Sequence, residues 1–348
     1  MAEDLGERER GVLRAIVHAY ITRGEPVGSS QLVRGAEFDV SSATLRGVMA
    51  DLEALGYLEK PHTSAGRVPT AQGYRFYVDA LVRLEAPPEA AQALIQQNLA
   101  GGEPSAAGVV ADASRVLHAI TRHAGVVVTP RAGALAPSRI EFVRLREDRV
   151  LAVMVVQGGQ VVNRPLALEV SMTTEELVRA ASRLNELFAR HPGRTVEELR
   201  AVLERELSEE AAAEQPELQR ALKLGVAAAV GVAAPERVVI EGAGSFLERP
   251  EFSDMERARA VFRALDEKGR LLQLLDRVQR AAAIQVFIGA ESALGEGAEV
   301  SVIASPYGSN GQVLGAVGVI GPTRMDYQKV IPLVDFTAQV LSRALETA

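Results

Sequence analysis

The chain has 348 residues, 47% of them apolar and 24% charged, with a net charge of −7 and no cysteine. That length calls for two or three domains with cores of their own, and the absence of cysteine excludes disulfides, thiolate zinc sites and thiol nucleophiles while fitting a cytoplasmic setting. The negative balance excludes a surface that attracts polyanions everywhere, so any contact with nucleic acid has to be local.

The opening MAEDLGERERG carries both charges and lacks the apolar run of a secretion signal. No stretch approaches the roughly 18 apolar residues needed to span a bilayer, so no membrane partner is expected. Residues 7–22 read as a first helix with Val12, Leu13, Ile16, Val17, Tyr20 and Ile21 on one face and Gly24 placed to end it. Ser29 or Ser30 caps a short helix holding Leu32 and Val33.

A third helix follows the turn Glu37–Val40. Its apolar face, Leu45, Val48, Met49, Leu52 and Leu55, has the spacing of a helix packed on a core. The opposite face is small, with Ala43, Gly47, Ala50 and Ala54 beside Arg46, so its backbone can lie close to a grooved partner. Ser41 or Ser42 caps this helix, and such an N-terminus also suits a phosphate. After Gly56 a strand, Tyr57–Lys60, turns over His62, Thr63, Ser64, Ala65 and Gly66 and returns through Arg67–Pro69; Gly66 permits a positive backbone angle at the tip.

Three helices followed by a hairpin make a winged helix-turn-helix, whose third helix enters the major groove. A small-faced helix before a hairpin also occurs in domains that bind no nucleic acid; the order of the elements is what favours DNA. The first 84 residues are near neutral, and basic groups gather at Arg46, Lys60, Arg67 and Arg75. Thr70 caps a fourth helix whose stripe of Tyr74, Tyr77, Val78 and Leu81 reads as core rather than as a stacking platform for bases.

Pro87–Pro88 and Gly101–Gly102 bracket a stretch of linker character around a short helical segment. A helix from about Ser105 carries Val109, Val110, Val116, Leu117 and Ile120. Strands follow at 126–129, 140–145, 150–156 and 160–168, then helices at about 175–190, 196–210 and 216–231. A strand at 238–241, two helices, strands at 284–288, 300–304 and 313–320, and a helix from Tyr327 complete the chain. Strands that resume after a helical stretch suggest a sheet domain interrupted by an insertion, whose alanine and leucine content suits holding two subunits together.

Chemistry-bearing patterns are sparse. The glycine-rich turn Glu241–Ser245 lacks the third glycine of a dinucleotide fingerprint and the Lys-Ser/Thr of a P-loop, so it reads as a structural turn. Gly308–Gly311 reads as a hairpin loop. His118 and His123 are five apart, a poor spacing for joint coordination on a helix, and no metal site is expected. No catalytic triad is visible, and no cofactor is expected.

The run SSATLRGVMADLEALGYLEKPHTSAGRVPTAQGYRFYVD at 41–79 closely resembles the HrcA family of bacterial heat-inducible transcription repressors, and GAVGVIGPTRMDYQKVIPLV at 315–334 resembles the last strand and helix of the same family. By length and order the resemblance spans essentially the whole chain. It implies an α+β, multidomain protein: a winged helix-turn-helix over 1–85, a linker over 86–104, a GAF-like antiparallel-sheet domain over 105–170 and 241–348, and an inserted, largely helical dimerising segment over 171–240. It also implies a homodimer that binds an inverted-repeat, CIRCE-type operator upstream of chaperone operons, with activity maintained by the GroEL chaperonin. A small-molecule-responsive regulator using the GAF-like domain as an effector pocket is the alternative.

On this resemblance the DNA-facing residues are Ser41, Ser42, Ala43, Thr44, Arg46 and Gly47 of the third helix and Lys60, His62, Thr63, Ser64 and Arg67 of the wing. Arg46 and the two serines are expected at groove and phosphate, with Thr44 beside them or flanking the core. Arg67 is expected on a phosphate. Family members often carry Asn where this chain has Gly47, which leaves Arg46 and the wing more of the recognition.

Overall fold

The computed structural model describes residues 5–34, 40–61, 66–82, 85–100, 106–129, 135–157, 161–168, 170–210, 216–230, 238–252, 254–294, 299–309 and 311–347. The N-terminal head contains α1 (Glu7–Arg23), α2 (Ser29–Arg34), α3 (Ser42–Ala54), β1 (Leu58–Glu59), β2 (Val68–Pro69) and α4 (Ala71–Phe76), which runs into a π-helical turn, Tyr77–Leu81. Val12, Leu13, Ile16 and Val17 of α1 are buried with Leu45, Val48, Met49 and Leu52 of α3. Burying each such side chain stabilises the head by roughly 1.5–3 kcal/mol.

Leu55, expected on the same stripe, is 37% exposed. The helix ends one residue earlier because Gly56 turns left-handed (φ 81°), with its N–H on the Glu53 carbonyl and the Tyr57 N–H on that of Leu52. This Schellman arrangement takes Leu55 out of the core and delivers Tyr57 into it.

β1 and β2 pair antiparallel, and Arg67 exchanges both backbone hydrogen bonds with Val27, each 2.9 Å, so the hairpin is tied to the turn after α1. Gly66 does not use the positive backbone angle open to it. It is pressed instead against Val27, where an added Cβ would lie 2.4 Å from the carbonyl. Close approach of two backbones, not turn geometry, requires glycine there.

The expected linker contains a packed helix. α5 (Glu89–Ala100) buries Ile95 and Leu99, lying against α6 (Ala106–Thr121) and the last helix, α12 (Tyr327–Thr347). The intervening chain adds β3 (Ala124–Val128), β4 (Pro137–Arg146), β5 (Arg149–Val156), β6 (Val161–Ala167), α7 (Thr174–Arg190), α8 (Val196–Glu210), α9 (Pro216–Ala229) and β7 (Val238–Glu241). After these come α10 (Met255–Asp266), α11 (Lys268–Ala281), β8 (Gln285–Ile288), β9 (Val300–Ser309) and β10 (Gln312–Pro322).

The strands form two larger antiparallel sheets. The first has the order β7-β3-β10-β9-β8 and is buried on both faces. Val127, Ile303, Val317 and Val319 share a core with α6 and α12; Val126, Val302, Ala304 and Ala316 share another with Val261 of α10 and Leu271, Leu275 and Val278 of α11.

The second sheet, β4-β5-β6, is separate. The sequence-based division placed these strands with the C-terminal strands and began the insertion at 171; instead they pack with α7 and α9. Their composition explains it: β5 alternates Val150, Ala152, Met154 and Val156 inward with half-exposed residues between, the pattern of a sheet covered on one face only. Asn185 of α7 joins the layers, its side chain accepting from the Ile140 N–H (2.8 Å) and donating to the Ile140 carbonyl (3.0 Å).

Gly66→Ala is expected to push the hairpin off Val27. Hydrogen exchange at the Val27 and Arg67 amides should accelerate by roughly tenfold, about 1.4 kcal/mol of local opening, while the amides of β9 and β10 stay protected.

Candidate nucleic-acid interface

α3 is capped by Ser41 rather than Ser42. The Ser41 Oγ accepts from the Thr44 N–H at 3.1 Å and lies 2.9 Å from the Thr44 Oγ1. Ser42 turns back into the head, its hydroxyl 2.8 Å from that of Ser29, and so ties α3 to α2. The remaining surface of the helix is open. Ala43, Thr44, Arg46, Gly47, Ala50 and Ala54 are exposed, and Thr44 therefore does not flank the core. A Cβ added at Gly47 would have nothing within 4 Å. Arg46 makes no hydrogen bond or ion pair among the described residues, which leaves its guanidinium free for an incoming acceptor.

Lys60, just beyond β1, is exposed too. His62, Thr63 and Ser64 lie outside the described residues. Arg67 is engaged within the head. Its side chain is only 14% exposed and its Nη2 sits 2.7 Å from the Glu53 carboxylate of α3. Sequence reasoning missed Glu53; a carboxylate on the last turn of α3, opposite a cation on the returning strand, was the available signal.

The other patterns are structural. Gly242 opens a 3-10 turn, Ala243–Glu248. His118 and His123 do not converge on a common ligand position: the His118 Nδ1 is 2.8 Å from the His123 backbone carbonyl. The His123 ring is buried, with its Nδ1 3.5 Å from Arg249. No cluster of three or more metal-ligating side chains occurs among the described residues. A cleft of about 210 Å³ between α7 and α9 is crossed by the ion pairs Arg220–Glu176 and Arg179–Glu217. Among the described residues no helix is long and apolar enough to cross a membrane.

The head thus presents a capped helix with a bare small-residue face, backed by a hairpin and carried on an α+β body. Residues 107–331 match the family model described as HrcA protein C terminal domain. Heat-inducible transcription repressors HrcA from Anaeromyxobacter sp. (strain K) and Geobacter sulfurreducens are 48% and 41% identical to the chain, each over 99% of it, covering 97% and 99% of their own lengths. A crystal structure known only as that of a hypothetical protein shares the fold at 23% identity, with a TM-score of 0.61 over 99% of both chains. The chain belongs to the HrcA family of heat-inducible transcription repressors, whose members are not enzymes.

Burial, reinforced by the charges of Arg249 and His118, pushes His123 down from 6.5 to about 3. A histidine neutral when folded gives up stability as pH falls, since the unfolded chain takes up a proton below about 6.5 and the folded chain does not until about 3. The unfolding free energy, read from denaturant titrations, should therefore decrease on going from pH 7 to pH 4, by an amount of the order of a few kcal/mol. His123→Gln should show a shallower decline than the parent chain in the same titration.

Proposed function

We propose that this chain is a dimeric heat-shock repressor that binds an inverted-repeat, CIRCE-type operator upstream of chaperone operons in the cytoplasm, with the GroEL chaperonin maintaining its activity. The observation that carries the DNA reading is the exposed small face of α3, with Arg46 unpaired and open space over Gly47. The chaperonin and the operator type rest on family membership.

In this reading the head is a winged helix. α3 lies in the major groove, with Ala43 and Gly47 allowing close approach and Arg46 reaching base edges. Ser41 and Thr44 face phosphate at the start of the helix, where unpaired backbone N–H groups favour anions. Ser42 and Arg67 hold the helix and hairpin in register, while Lys60, His62, Thr63 and Ser64 serve the wing. Phosphate contacts then fix the position and Arg46 supplies base reading.

The sheet β7-β3-β10-β9-β8 with its flanking helices is the GAF-like domain. The inserted dimerising segment runs from β4 to α9, wider than the 171–240 expected from sequence. Its open sheet face carries Val143, Leu145 and Val161, which are 49%, 51% and 53% exposed, with Leu151, Val153 and Val155 between them. The same face carries the Arg139–Glu141 ion pair and Asn163, and a mixed face of that kind suits association of two subunits. A two-fold dimer would then match the two halves of an inverted repeat.

Gel-shift titration against the repeat and a scrambled duplex tests the reading; equal affinity for the two sinks it. Arg46→Ala should cost about 1–3 kcal/mol and relax base preference. Lys60→Ala should lower the log–log salt slope by about 1. Arg67→Ala should leave that slope unchanged, because its guanidinium is committed to Glu53.

A further inference from the structure

The two runs that carry the family resemblance, 41–79 and 315–334, meet in space. Tyr74 of α4 packs on Tyr327 at the start of α12, with ring centroids 5.8 Å apart. Tyr327 is fully enclosed, donating to the Thr323 carbonyl and lying 2.8 Å from the Ser301 hydroxyl.

On either side of this tyrosine pair an arginine crosses the joint, one in each direction. Arg75 leaves the head. Its Nε donates to Glu291 at 3.0 Å, and its Nη2 donates to the other Glu291 oxygen and to the Val286 carbonyl. Glu291 is held in turn by the Ile288 N–H at 2.9 Å, and Asp79 steadies Arg75 from the head side at 3.2 Å. β8 is an edge strand, so its outward carbonyls lack a ladder partner, and Val286 supplies one to Arg75. Arg324 leaves the sheet body. Its Nη1 donates to the Ile21 carbonyl at 2.9 Å, in the last turn of α1 where carbonyls lack helical partners, and the rest of its guanidinium grips Glu251.

These contacts join residues 216 and 303 positions apart, and none of them belongs to the surface that faces DNA. Bidentate guanidinium–carboxylate pairing fixes orientation as well as distance. Around it, the buried Tyr74 hydroxyl and the Glu251 Oε2 have no hydrogen-bond partner among the described residues. The two clamps therefore carry the polar part of the joint.

We propose that Arg75 and Arg324 are positioning residues for operator binding: they hold the head at one angle on the sheet body, so that the body sets the separation and tilt of the two α3 helices in the dimer. This rests on the dimeric repressor reading. Neither arginine touches DNA. Their effect is on whether both heads can engage the two half-sites at once, the condition under which the second contact gains from effective concentration.

The test uses the full chain with Arg75→Ala, Glu291→Ala, the double variant and Arg324→Ala, titrated against the inverted repeat and against a single half-site at several salt concentrations. Each single variant should bind the full repeat about tenfold or more weakly, with half-site affinity and salt slope unchanged. The Arg75/Glu291 double variant should be no weaker than either single one, since both remove the same clamp. Equal losses on repeat and half-site, or a Glu291→Ala variant that binds the repeat like the parent, overturn the proposal.

Because the chain lacks cysteine, spin labels at Ala50→Cys and Arg259→Cys, diluted with unlabelled protein, report the head-to-body distance without DNA. The distribution should be narrow in the parent and broad in Arg75→Ala at unchanged far-ultraviolet circular dichroism; a distribution that stays narrow overturns it. If the parent itself fails to prefer the repeat, the repressor reading falls, while the distance measurement still decides whether the arginines set the angle.

Discussion

Strands β9 and β10 are covered on both faces along nearly their whole length, and the rest of the molecule is arranged by that requirement. A strand buried on both sides needs a helical layer above and below, and α6 with α12 and α10 with α11 provide them. The sheet then has two short edges, β7 and β8. The β8 edge is where the head docks, through the arginine that takes its outward carbonyl. Placement of α3 is thus tied, through the head, to how the sheet edge is satisfied.

Within the head the constraints are backbone contacts. Gly56 ends α3 in a left-handed turn, and Gly66 lets the hairpin touch the turn after α1. These two positions fix the angle between the hairpin and α3, and the Arg67–Glu53 pair holds it from the side-chain direction. The resulting economy is plain in Ser41 and Ser42: adjacent hydroxyls, one capping the helix and the other tying it to α2. A surface helix held in this way presents Arg46 at a defined place.

The second sheet shows how one-sided burial differs from two-sided burial at the level of composition. Arg139, Glu141, Arg144 and Arg146 punctuate β4, whereas β3 reads AGVVV without a charge. That contrast separates β4 to β6 from the strands of the larger sheet. Strand periodicity alone did not, because both kinds read as strands; it is the packing of β4 and β6 on α7 and α9 that joins residues on either side of 171. The helix expected to be a linker was misread for a related reason. Prolines and glycines at both ends of α5 mark where a helix stops, but only Ile95 and Leu99 packing on α6 and α12 shows that it is part of the core.

Local chemistry was therefore legible in the sequence: three helices and a hairpin in order, the capped start and small face of α3, the glycine stop at 56, the strand and helix succession, and the family itself from two short runs. These are properties of residues within a few positions of one another, where capping, periodicity and turn formation operate. Tertiary structure decided what required distant partners: that Arg67 is committed to Glu53, that Gly66 serves a backbone contact, that β4 to β6 form their own sheet, and that Arg75 and Arg324 span the joint between head and body. Each depends on a neighbour brought close only by the folded chain, and spacing along a sequence carries no record of it.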